Sequence, residues 1–576
     1  QAPAGQAPAM PLAEFYGRHT FHGPRLRGIV RVDSVSDRHV AGVVRAARPG
    51  ELAADPAAGF ALDPLLYDSC LQLAAYWAAA VHGRGGLPLG VDELRVFTRV
   101  APGAEVRCLL VFERSQGDLF SGHIDLSDAS GALVAQLRGV RAELREAAPL
   151  APVAPIDDID PACYRVDEMP AYKELRQRLD LAQAMGISNP YFNVHERVTA
   201  DTSIIGGREM LNFSSYNYLG LSGDEEVSRA VTEAVARYGT SVSASRVASG
   251  EKPLHRELEA EIASFLGCED AIVMVGGHAT NVGVVGHMFG PGDLIVHDSL
   301  AHDSILGGAR LSGARRRPFP HNDPEALDAI LRDARRDFKK VLIAVEGTYS
   351  MDGDMPPLPE LIRIKRKHRA MMLVDEAHSL GVVGATGRGV GEHFGVDRRD
   401  VEMWMGTLSK SLASCGGYIA GSHALAEYLK YTMPGFVYSV GISPPNAASA
   451  LAALRKLAAR PDLVALLRQR AAFFLELLRR RGVDTGMSEG TAVLPCIVGN
   501  SWDCLQLAQA LGRRGINVQP ILYPAVEEHL ARLRFFISAR HSEEQLVHTA
   551  DVLCEELLAL GPGYLHRRRP LVPAAR

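Results

Sequence analysis

Short apolar runs of three to five residues recur through the middle of the chain and alternate with segments whose apolar residues follow helical spacing. A strand that is buried on both faces has no polar positions, and parallel strands need crossover helices between them. This alternation therefore predicts an α/β fold with a mostly parallel sheet. The predicted strands are Ala271–Val275, Asp293–Val296, Val341–Val345, Met371–Val374 and Met403–Met405.

The regions on either side have different patterns. Near the N-terminus, alternating runs at Glu105–Val111 and Leu133–Leu137 predict strands, and the apolar segment Asp63–Ala80 predicts one helix. This part is expected to be an α+β domain whose sheet wraps a helix. Ala, Pro and Asp crowd together at Ala147–Pro161 without periodicity, which predicts a domain boundary. From about Ser443 onward, helix-rich sequence and a later strand pair predict a smaller α+β domain.

Composition and charge narrow the possible partners. The chain has 576 residues, 47% of them apolar, and its 62 basic and 67 acidic side chains give a net charge of −5. This mild acidic balance gives no reason to expect nucleic acid or an anionic membrane as a partner. The eight cysteines are scattered without zinc-ligand spacing, and there is neither a long apolar stretch nor a signal pattern. We therefore expect a soluble cytoplasmic protein without a metal site.

Asp375 follows the predicted strand Met371–Val374, where a buried carboxylate is costly unless a cation meets it. The protonated nitrogen of a pyridine ring is such a cation, and His378 could reach the phenolic oxygen of the same ring. Alternatively, this string is a capped turn followed by a core histidine. It is also the metal-binding box of one class of helicases, but the phosphate loop of those enzymes is missing. The glycines of Gly387–Gly391 match only a fragment of a dinucleotide loop, so an ordinary loop is predicted there.

Lys410 follows the predicted strand Met403–Met405 among small and hydroxyl residues, and Thr407 is placed to bind a phosphate. A partly desolvated lysine has a lowered pKa and can act as a nucleophile and proton carrier. Gly276 and Gly277 separate a predicted strand from a helix, where backbone N–H groups and the helix dipole attract a phosphate. An amine, a carboxylate and phosphate donors together predict pyridoxal 5'-phosphate (PLP) as cofactor. A surface lysine or a hydroxyl-lysine hydrolase is the alternative.

Seven stretches between about residue 165 and residue 555 match the motifs of one enzyme family in order: Phe213–Gly220, Ser245–Arg246, Gly250, His255–Glu259, Glu346–Asp354, Asp375–Ser379 and Thr407–Lys410. In these motifs the chain resembles the α-oxoamine synthases, PLP enzymes of fold type I. The resemblance implies an N-terminal arm at 165–240, a PLP-binding large domain at 241–442, a small C-terminal α+β domain at 443–560 and a tail at 561–576.

The resemblance also implies roles for the reactive groups. Lys410 would bind the cofactor covalently, and Asp375 would pair with its pyridine nitrogen. His302 would stack on the ring, and His378 would contact its oxygen. Arg534 would bind the carboxylate of an amino acid substrate, because a guanidinium group grips a carboxylate in a bidentate pair.

Other positions are implied to hold the cofactor or the substrate. The cofactor set is Gly277 and His278 through their backbone, Glu346, Ser350, Thr407 and, from a neighbouring subunit, Ser439; the substrate set adds Asn217. Family members usually have an aromatic or apolar residue after the second glycine, so His278 is a departure that changes the packing near the cofactor. Sites of this fold type lie between subunits, which implies a homodimer.

The family's reaction is a decarboxylative Claisen-type condensation. A carbanion formed from an amino acid attacks an acyl thioester, and loss of the thiol and of carbon dioxide leaves an α-aminoketone. The strings Gly435–Ser439 and Gly515–Pro520 look most like relatives that end polyketide assembly lines. That subgroup implies an acyl chain carried on an acyl carrier protein. The amino acid and the chain length have no recognisable motif.

The first domain, predicted at 11–147 between linkers at 1–10 and 148–164, resembles the second half of a polyketide synthase dehydratase, a hot-dog fold, at Phe21–Gly28, Leu62–Asp68 and Gln72. In that family Asp68 works with a histidine of a His-x-x-x-Gly-x-x-x-x-Pro string, which this chain lacks. A lone acid cannot run a two-group elimination. The domain is therefore predicted to be structural or a docking platform, with a histidine from a partner chain as the alternative.

Two other interpretations of the whole chain stay open. A different fold type I enzyme, an aminotransferase or a lyase, would share Lys410 and Asp375 with a synthase. A non-catalytic docking module for a carrier protein would keep a vestigial pocket. Consumption of a thioester with release of carbon dioxide separates the synthase from the first, and cofactor binding that depends on Lys410 separates it from the second.

Overall fold

The computed structural model describes residues 10–18, 26–48, 62–145 and 159–565. It divides into two compact units, residues 1–173 and residues 174–576. Residues 1–9, 146–158 and 566–576, which include most of the predicted linkers and tail, lie outside the described residues, as does Phe21–Arg25 of the dehydratase-like string. None of the helices in the described ranges is both long and apolar enough to cross a membrane.

The first unit is an antiparallel sheet packed on one long helix. Its elements are α1 (Leu12–Arg18), β1 (Ile29–Val35), β2 (His39–Arg45), α2 (Pro64–His82), β3 (Gly85–Gly90), β4 (Glu93–Val96), β5 (Glu105–Gln116), β6 (Leu119–Ser127) and β7 (Leu133–Arg145). The strand order is β1-β2-β5-β6-β7-β3, with β4 also paired to β7, and all pairs are antiparallel. The predicted α+β character is confirmed, and the two predicted strands extend further than the sequence pattern indicates.

Helix α2 begins and ends at the residues that helix signals favour. The Asp63 side chain caps its N-terminus by accepting from the backbone N–H of Leu66 at 2.9 Å, and Pro64 is the first helical residue. Gly83 ends the helix in the left-handed conformation, with φ 62°. Trp77 is fully buried, and its indole N–H donates to the backbone carbonyl of Ser36, in the turn between β1 and β2, at 2.9 Å. The helix thus forms the core on which the sheet packs.

The second unit is built on a seven-stranded sheet. The elements from the unit division onward are α3 (Pro170–Ala184), β8 (Thr202–Ile205), β9 (Arg208–Asn212), α4 (Glu225–Tyr238), α5 (Pro253–Leu266), β10 (Asp270–Met274), α6 (Gly277–Met288), β11 (Leu294–Asp298), α7 (Asp303–Ser312), β12 (Arg315–Phe319), α8 (Pro324–Ala334), β13 (Val341–Glu346), α9 (Leu358–His368), β14 (Met371–Asp375), α10 (Val390–His393), β15 (Met403–Thr407), β16 (Gly417–Gly421), α11 (His423–Thr432), α12 (Pro434–Val437), α13 (Pro444–Ala459), α14 (Pro461–Arg480), β17 (Val493–Ile497), α15 (Ser501–Arg513), β18 (Ile516–Asn517), β19 (Gln519–Ile521), β20 (Arg532–Phe536) and α16 (Glu543–Leu560).

The large sheet has the order β10-β16-β15-β14-β13-β11-β12. Strand β16 is antiparallel to both of its neighbours, and the other pairs are parallel. Alternate residues of each central strand enter separate hydrophobic cores on the two faces, as Ile343 and Leu342 of β13 do. The predicted mostly parallel sheet is therefore confirmed, and each of the five predicted strands is present within two residues of its expected bounds.

Strands β12 and β16 were not predicted, and each has a physical reason. Strand β12 lies at the edge of the sheet and is largely exposed, so it carries three arginines and a proline in place of an apolar run. Strand β16 begins and ends with glycine. A Cβ at Gly417 would lie 2.8 Å from the Cα of Gly277, so this close approach excludes a side chain.

The C-terminal region contains a three-stranded antiparallel sheet, β17-β20-β19, one strand more than the predicted pair. Helices α14, α15 and α16 accompany it along the chain. Strand β18 instead pairs in parallel with β9, which ties the segment before the large sheet to the C-terminal region. Strand β20 matters for the site because it carries Arg534.

Candidate active site

Four neighbouring parallel strands of the large sheet end on polar residues. Strand β11 ends at Asp298, β13 at Glu346, β14 at Asp375 and β15 at Thr407. All four side chains are buried, and Glu346 lies directly opposite Asp375 in the strand register. Ligands of open α/β sheets bind in the crevice outside the carboxyl ends of the strands. The polar groups therefore gather at the edge where a ligand is expected.

Asp375 is held by two donors. The side-chain N–H of Asn281, on α6, donates to its Oδ2 at 2.7 Å, and the backbone N–H of Ala377 donates to its Oδ1 at 2.9 Å. Hydrogen bonds to a carboxylate favour its charged form. Asp375 is therefore held in a fixed orientation at the end of β14.

Lys410 lies within reach of these carboxylates. Burial lowers the pKa of Lys410 to about 8, while the charges of Asp375 and Glu346 act to raise it and that of Arg534 acts to lower it. Such interactions require that the three groups lie near the amine. The Nζ atom of Lys410 is 5.4 Å from the centre of the Tyr216 ring. An amine with this pKa is partly neutral near pH 8 and can act as a nucleophile or as a base.

Glu346 is a second buried carboxyl group beside Asp375. Burial raises the pKa of Glu346 well above its ordinary value, and the neighbouring charge of Asp375 raises it further. Its Oε2 accepts weakly from the backbone N–H of Ser350 at 3.3 Å, and its Oε1 has no partner among the described residues. The site thus holds, beside Asp375, a carboxyl group that favours the neutral acid.

His378 lies behind the same strand end. Its Nδ1 atom is 2.7 Å from the hydroxyl oxygen of Tyr218. Burial lowers the pKa of His378 well below its ordinary value, and the positive charges of Lys410 and Arg534 lower it further. The imidazole is therefore neutral and can exchange a hydrogen bond with a ligand without carrying charge.

His302 caps the N-terminus of α7, accepting at Nδ1 from the backbone N–H of Ser304 at 3.3 Å. The residue is exposed overall, yet partial burial of its ring lowers its pKa; the charge of Asp375 opposes this shift, and the charge of Lys410 adds to it. The ring of His278, at the start of α6, is 6.3 Å away from the ring of His302 and is also exposed. Two imidazoles therefore line the solvent side of the site.

Arg534 reaches the site from β20. Its Nη1 donates to the backbone carbonyl of Ser350 at 2.9 Å, and its guanidinium carbon lies 4.6 Å from the centre of the Phe536 ring. Its Nε is buried without a partner among the described residues. Arg532, two residues earlier, is instead paired with Asp352 at 2.6 Å. Arg534 thus has an uncommitted N–H group, whereas the charge of Arg532 is already matched.

Two of the predicted phosphate-binding residues, Gly277 and Thr407, meet at the start of α6. A Cβ on Gly277 would lie 2.7 Å from the Thr407 hydroxyl oxygen, so only glycine lets the helix approach β15 this closely. The Thr407 and Ser409 hydroxyls are 2.7 Å apart. Ser350 is buried beside Glu346, as described above. Ser439 follows α12, and its hydroxyl donates to the carbonyl of Val440 at 3.3 Å.

Asn217 is the predicted site residue whose contacts least suit its role. Its side-chain amide donates to the carbonyls of Thr199 and Ser222 at 3.2 and 3.3 Å, and its oxygen accepts from the Ser222 N–H at 3.1 Å. These bonds close the loop that carries Tyr216 and Tyr218. The amide is already used for this closure, so its contacts give no support to direct substrate binding.

Several residues of the site were missed at the sequence level. The only sequence feature that marks Asn281 is its position one helical turn after Gly277. Tyr216 and Tyr218 lie in the motif Phe213–Gly220 but were given no role of their own. The glycine string Gly387–Gly391 has a structural role: the backbone N–H groups of residues 390 and 391 donate to the buried carboxylate of Glu376 at 3.0 and 3.4 Å.

The dehydratase-like residues of the first unit form a separate network. The Gln72 side chain donates to Asp68 at 2.7 Å and to the Leu26 carbonyl at 2.8 Å, and Tyr16 donates to Gln72 at 2.7 Å. Asp68 is therefore oriented from α2 by its neighbour one turn later. His39, one of the histidines of this unit, has its Nδ1 atom 2.6 Å from the hydroxyl oxygen of Ser36.

The chain matches two protein families. Residues 208–553 match the family described as aminotransferase class I and II, which covers more than half of the chain and the whole large sheet. Residues 1–151 match the family described as polyketide synthase dehydratase N-terminal domain. The second match confirms the dehydratase relationship of the first unit. It does not support the assignment to the second half of a dehydratase that Asp68 and Gln72 suggested.

Individual relatives are more specific. The chain is 39% identical over 344 residues to an 8-amino-7-oxononanoate synthase of Symbiobacterium thermophilum, covering 60% of this chain and 87% of the relative. It matches the solved structure of Sphingomonas wittichii serine palmitoyltransferase with a TM-score of 0.65 and 32% identity, over 68% of this chain and 98% of that one. A serine palmitoyltransferase from S. paucimobilis, solved with bound PLP and myriocin, matches with a TM-score of 0.65 and 28% identity over the same shares.

The sheet, the strand-end carboxylates and the buried lysine define a fold type I enzyme of the aminotransferase class I and II group, preceded by a dehydratase-type hot-dog unit. Within that group, the chain belongs to the α-oxoamine synthase family. The predicted family, fold class and enzyme class, an acyltransferase, are thereby confirmed.

Proposed function

We propose that this enzyme joins an amino acid to an acyl chain carried on an acyl carrier protein and releases the chain as an α-aminoketone. A bond forms between the α-carbon of the amino acid and the acyl carbon. The acyl–sulfur bond and the bond from the α-carbon to the carboxyl carbon break, so the thiol and carbon dioxide leave. The observation that carries the proposal is the buried Lys410 amine, its pKa lowered to about 8 beside the Asp375 carboxylate.

The residues of the site fit PLP. When bound, PLP supplies an aldehyde that combines with amines and an electron-withdrawing ring that stabilises a carbanion. The Lys410 amine suits the aldehyde, and the Asp375 anion suits a protonated ring nitrogen. The N-terminus of α6 at Gly277 and the Thr407 hydroxyl suit a phosphate. The unpartnered Oε1 of Glu346 is a further buried group that a polar ligand could satisfy.

Other residues complete this assignment. We assign the backbone of His278 and the hydroxyl of Ser350 to the phosphate, and Ser439 to the site of the neighbouring subunit in a homodimer. His302 lies on the solvent side of the site, which suits stacking on the ring. His378 is neutral and held by Tyr218, so it can share a hydrogen bond with the ring oxygen.

Lys410 is assigned the proton transfers. A base is most effective when its pKa lies near the working pH, because it is then available unprotonated and still basic enough to accept the proton. The pKa of about 8 meets this condition, whereas an exposed lysine would be almost entirely protonated. Lys410 would take the proton from the α-carbon of the amino acid and return one to the product.

Arg534 is assigned the carboxylate of the amino acid. One guanidinium nitrogen is tied to the carbonyl of Ser350, which fixes the group in place, and its Nε–H is left without a partner among the described residues. A buried donor without a partner is costly, and a carboxylate ligand would remove that cost. The contact with Phe536 orients the guanidinium plane further.

The carrier-protein context is supported by the first unit. Residues 1–151 match the polyketide synthase dehydratase N-terminal domain, and polyketide synthases are the context that the strings Gly435–Ser439 and Gly515–Pro520 resemble. We assign this unit, at 11–147 between linkers at 1–10 and 148–164, a structural or docking role. The synthase is assigned an arm at 165–240, a large domain at 241–442, a small domain at 443–560 and a tail at 561–576, in a cytoplasmic homodimer.

The test is a direct assay of the three expected products. The purified protein, loaded with PLP, is incubated with a panel of amino acids and with an acyl chain on a carrier protein or on coenzyme A. Mass spectrometry follows the free carrier thiol and the α-aminoketone, and trapped carbon dioxide is measured separately. The Lys410→Ala variant should form no product, while Lys339→Ala, which alters an exposed lysine, should match the unaltered enzyme.

Each outcome of this assay decides a part of the proposal. Release of thiol, carbon dioxide and α-aminoketone only with the carrier-bound donor supports it in full. Equal or better turnover of the coenzyme A thioester overturns the carrier-protein assignment. Exchange of amino groups without thioester consumption would make the protein an aminotransferase and overturn the synthase assignment.

A further inference from the structure

Asn281 connects two sides of the site that are far apart in sequence. Its side-chain nitrogen donates to Asp375 Oδ2 at 2.7 Å and to Ser304 Oγ at 2.9 Å. Ser304 Oγ is in turn 2.7 Å from Nδ1 of His302. Asn281 and Ser304 are each only 1% exposed, so water does not compete for these contacts. One continuous chain of hydrogen bonds therefore runs from the strand-end carboxylate to the imidazole.

Chemistry sets the direction of every bond in this chain. An ionised carboxylate only accepts, so the amide of Asn281 must turn its NH₂ group toward Asp375. The second N–H of that group then donates to Ser304 Oγ. The single proton of the Ser304 hydroxyl is left to point at Nδ1 of His302, and the backbone N–H of Ser304 points at the same atom from 3.3 Å. With two donors directed at it, Nδ1 carries no proton.

The remaining ring nitrogen must therefore carry the proton of neutral His302. Partial burial lowers the pKa of His302, which favours the neutral form. Since Nδ1 is tied to the start of α7, Nε2 lies at the opposite edge of the ring, away from that helix. The N–H at Nε2 is free to donate to a ligand on the open side of the site.

We propose that Asn281 is a positioning residue which, through Ser304, holds His302 in the Nε2–H tautomer and so makes it a hydrogen-bond donor to the substrates. The same amide holds the Asp375 carboxylate, so one side chain sets the orientation of both groups. The tautomer is a property of the protein alone. Its consequence for catalysis rests on the proposed function, in which an oxygen of either substrate would accept from Nε2.

The tautomer can be measured without catalysis. In cofactor-free protein labelled with ¹⁵N-histidine, long-range proton–nitrogen correlation spectra distinguish the two neutral tautomers by the shifts of the ring nitrogens. The His302 signals are assigned by their loss in a His302→Gln variant. We expect the unaltered protein to show a protonated Nε2 and an unprotonated Nδ1. A protonated Nδ1 would overturn the proposal.

Two variants test the cause. An aspartate at position 281 must share a proton with Asp375, and its other oxygen then accepts from Ser304. The serine proton is thereby withdrawn from His302, so Asn281→Asp should convert His302 to the Nδ1–H tautomer. Ser304→Ala removes the hydroxyl and should give a mixture of tautomers, whereas Ser304→Thr keeps the hydroxyl and should keep Nε2–H. A His302 tautomer that stays unchanged in both Asn281→Asp and Ser304→Ala would overturn the proposal.

The matched control is Ser312→Ala at the far end of α7. Ser312 is also a buried serine, but its hydroxyl donates to the carbonyl of Ala309 at 2.8 Å and takes no part in the chain. This variant should leave the His302 spectrum unchanged. Thermal unfolding of each variant shows whether it is folded. If Asn281→Asp does not fold, Ser304→Ala still tests the proposal.

Kinetics add a second readout that separates this proposal from the proposed function. In the PLP-loaded enzyme, Asn281→Asp should lower kcat by roughly tenfold or more, because it removes the donor at His302 and also places a shared proton on Asp375. Ser304→Ala leaves Asn281 and Asp375 in place, so it should lower kcat by a smaller factor through His302 alone. If the unaltered enzyme forms no α-aminoketone but its tautomer shifts as expected in the variants, the proposed function fails and the positioning role stands. If the unaltered enzyme has synthase activity but the variants leave the His302 tautomer unchanged, the proposed function stands and the positioning role fails.

Discussion

The hydroxyl of Tyr218 lies 2.7 Å from Nδ1 of His378, and both side chains are buried. The imidazole is nearly parallel to the Phe536 ring, at 12° and 6.2 Å between centres. Because burial and nearby positive charge lower the pKa of His378, the ring is neutral, so one of its nitrogens carries a proton and the other can accept one hydrogen bond. The hydrogen bond with Tyr218 therefore fixes the position of the His378 ring in the turn that follows β14.

Replacing Tyr218→Phe removes this hydrogen bond and keeps the aromatic ring. We expect kcat to fall roughly 5- to 10-fold, since a buried hydrogen bond of this kind is worth about 1 kcal/mol and its loss frees the imidazole. Steady-state kinetics of the PLP-loaded enzyme measures the effect. Tyr418→Phe is the matched control, because the buried hydroxyl of Tyr418 has no partner among the described residues. Equal kcat values in the two variants would contradict the positioning of His378 by Tyr218.

Replacing Arg534→Lys should weaken binding of the amino acid. A lysine cannot reproduce the planar pair of donors, and loss of one charge-assisted hydrogen bond costs about 1.5–3 kcal/mol, so KM should rise roughly 10- to 100-fold. The measurement is KM for the amino acid at saturating acyl donor. Arg532→Lys, on the same strand but paired with Asp352, should keep its salt bridge and change KM by less than about twofold. An unchanged KM in the Arg534→Lys variant would contradict the assignment of Arg534 to the carboxylate of the amino acid.

His321 links Asp298, at the end of β11, to Asp354, in the loop between β13 and α9, and this link makes the stability depend on pH. Its nitrogens are 2.9 Å from Asp298 and 2.7 Å from Asp354. Burial alone would lower the pKa of His321, but hydrogen bonds to the two carboxylates and their charges raise it to about 10. A raised pKa means that the folded protein holds the proton more tightly than the unfolded chain. The contribution is therefore complete below about pH 6.5 and is lost as the pH rises through about 10.

The variant His321→Gln should lose about 3–5 kcal/mol of unfolding free energy at pH 6, because two buried carboxylates then lack their cation. This deficit should shrink steadily between pH 6.5 and 10. Urea unfolding across that range measures it. The exposed pair of His423 with Asp270 provides the control, and His423→Gln should cost at most about 1 kcal/mol. A deficit for His321→Gln that does not vary with pH would contradict the raised pKa.

The loop around Glu376 gives a stability test for the glycine string. Gly389 has φ 84°, and a Cβ there would lie 2.2 Å from a carboxylate oxygen of Glu376. Gly389→Ala should therefore cost about 3 kcal/mol or more, from backbone strain together with displacement of a buried carboxylate. Gly395 also has a positive φ, 62°, but no atom lies within 4 Å of its Cβ position. Gly395→Ala should cost only about 1–2 kcal/mol in the same urea unfolding experiment, and equal losses would contradict the role of Glu376.

The central strands could be predicted, and candidate reactive residues could be chosen, because both depend on local sequence. A strand buried on both faces must be apolar, and Asp375 stands out because it is charged directly after such a strand. Lys410 and Gly277 stand out because each follows one of these strands closely and belongs to a residue type that a cofactor site needs. The edge strand β12 could not be predicted, since exposure removes the need for apolar residues, and β16 is defined by how closely its glycines approach α6.

The contacts that orient these residues could not be predicted. Asn281 and Ser304 are 23 residues apart, and Asn281 and Asp375 are 94 apart, with no pattern that relates them. The contact between Tyr218 and His378 spans 160 positions. The contacts of Asn217 were equally hidden, because its motif gives no sign that its amide bonds to the backbone of Thr199 and Ser222.

Family and fold class could therefore be predicted from the order of residues, and candidate reacting groups could be chosen from it, because each depends on a short segment and on the chemistry of its side chains. Protonation and orientation were decided only when the chain folded. Burial lowers the pKa of Lys410 and raises that of Glu346, although both are ordinary side chains in the unfolded chain. Desolvation and hydrogen-bond direction depend on neighbours that sequence distance does not reveal, and these neighbours make the Lys410 amine a candidate base and Glu346 a carboxyl group that favours its neutral form.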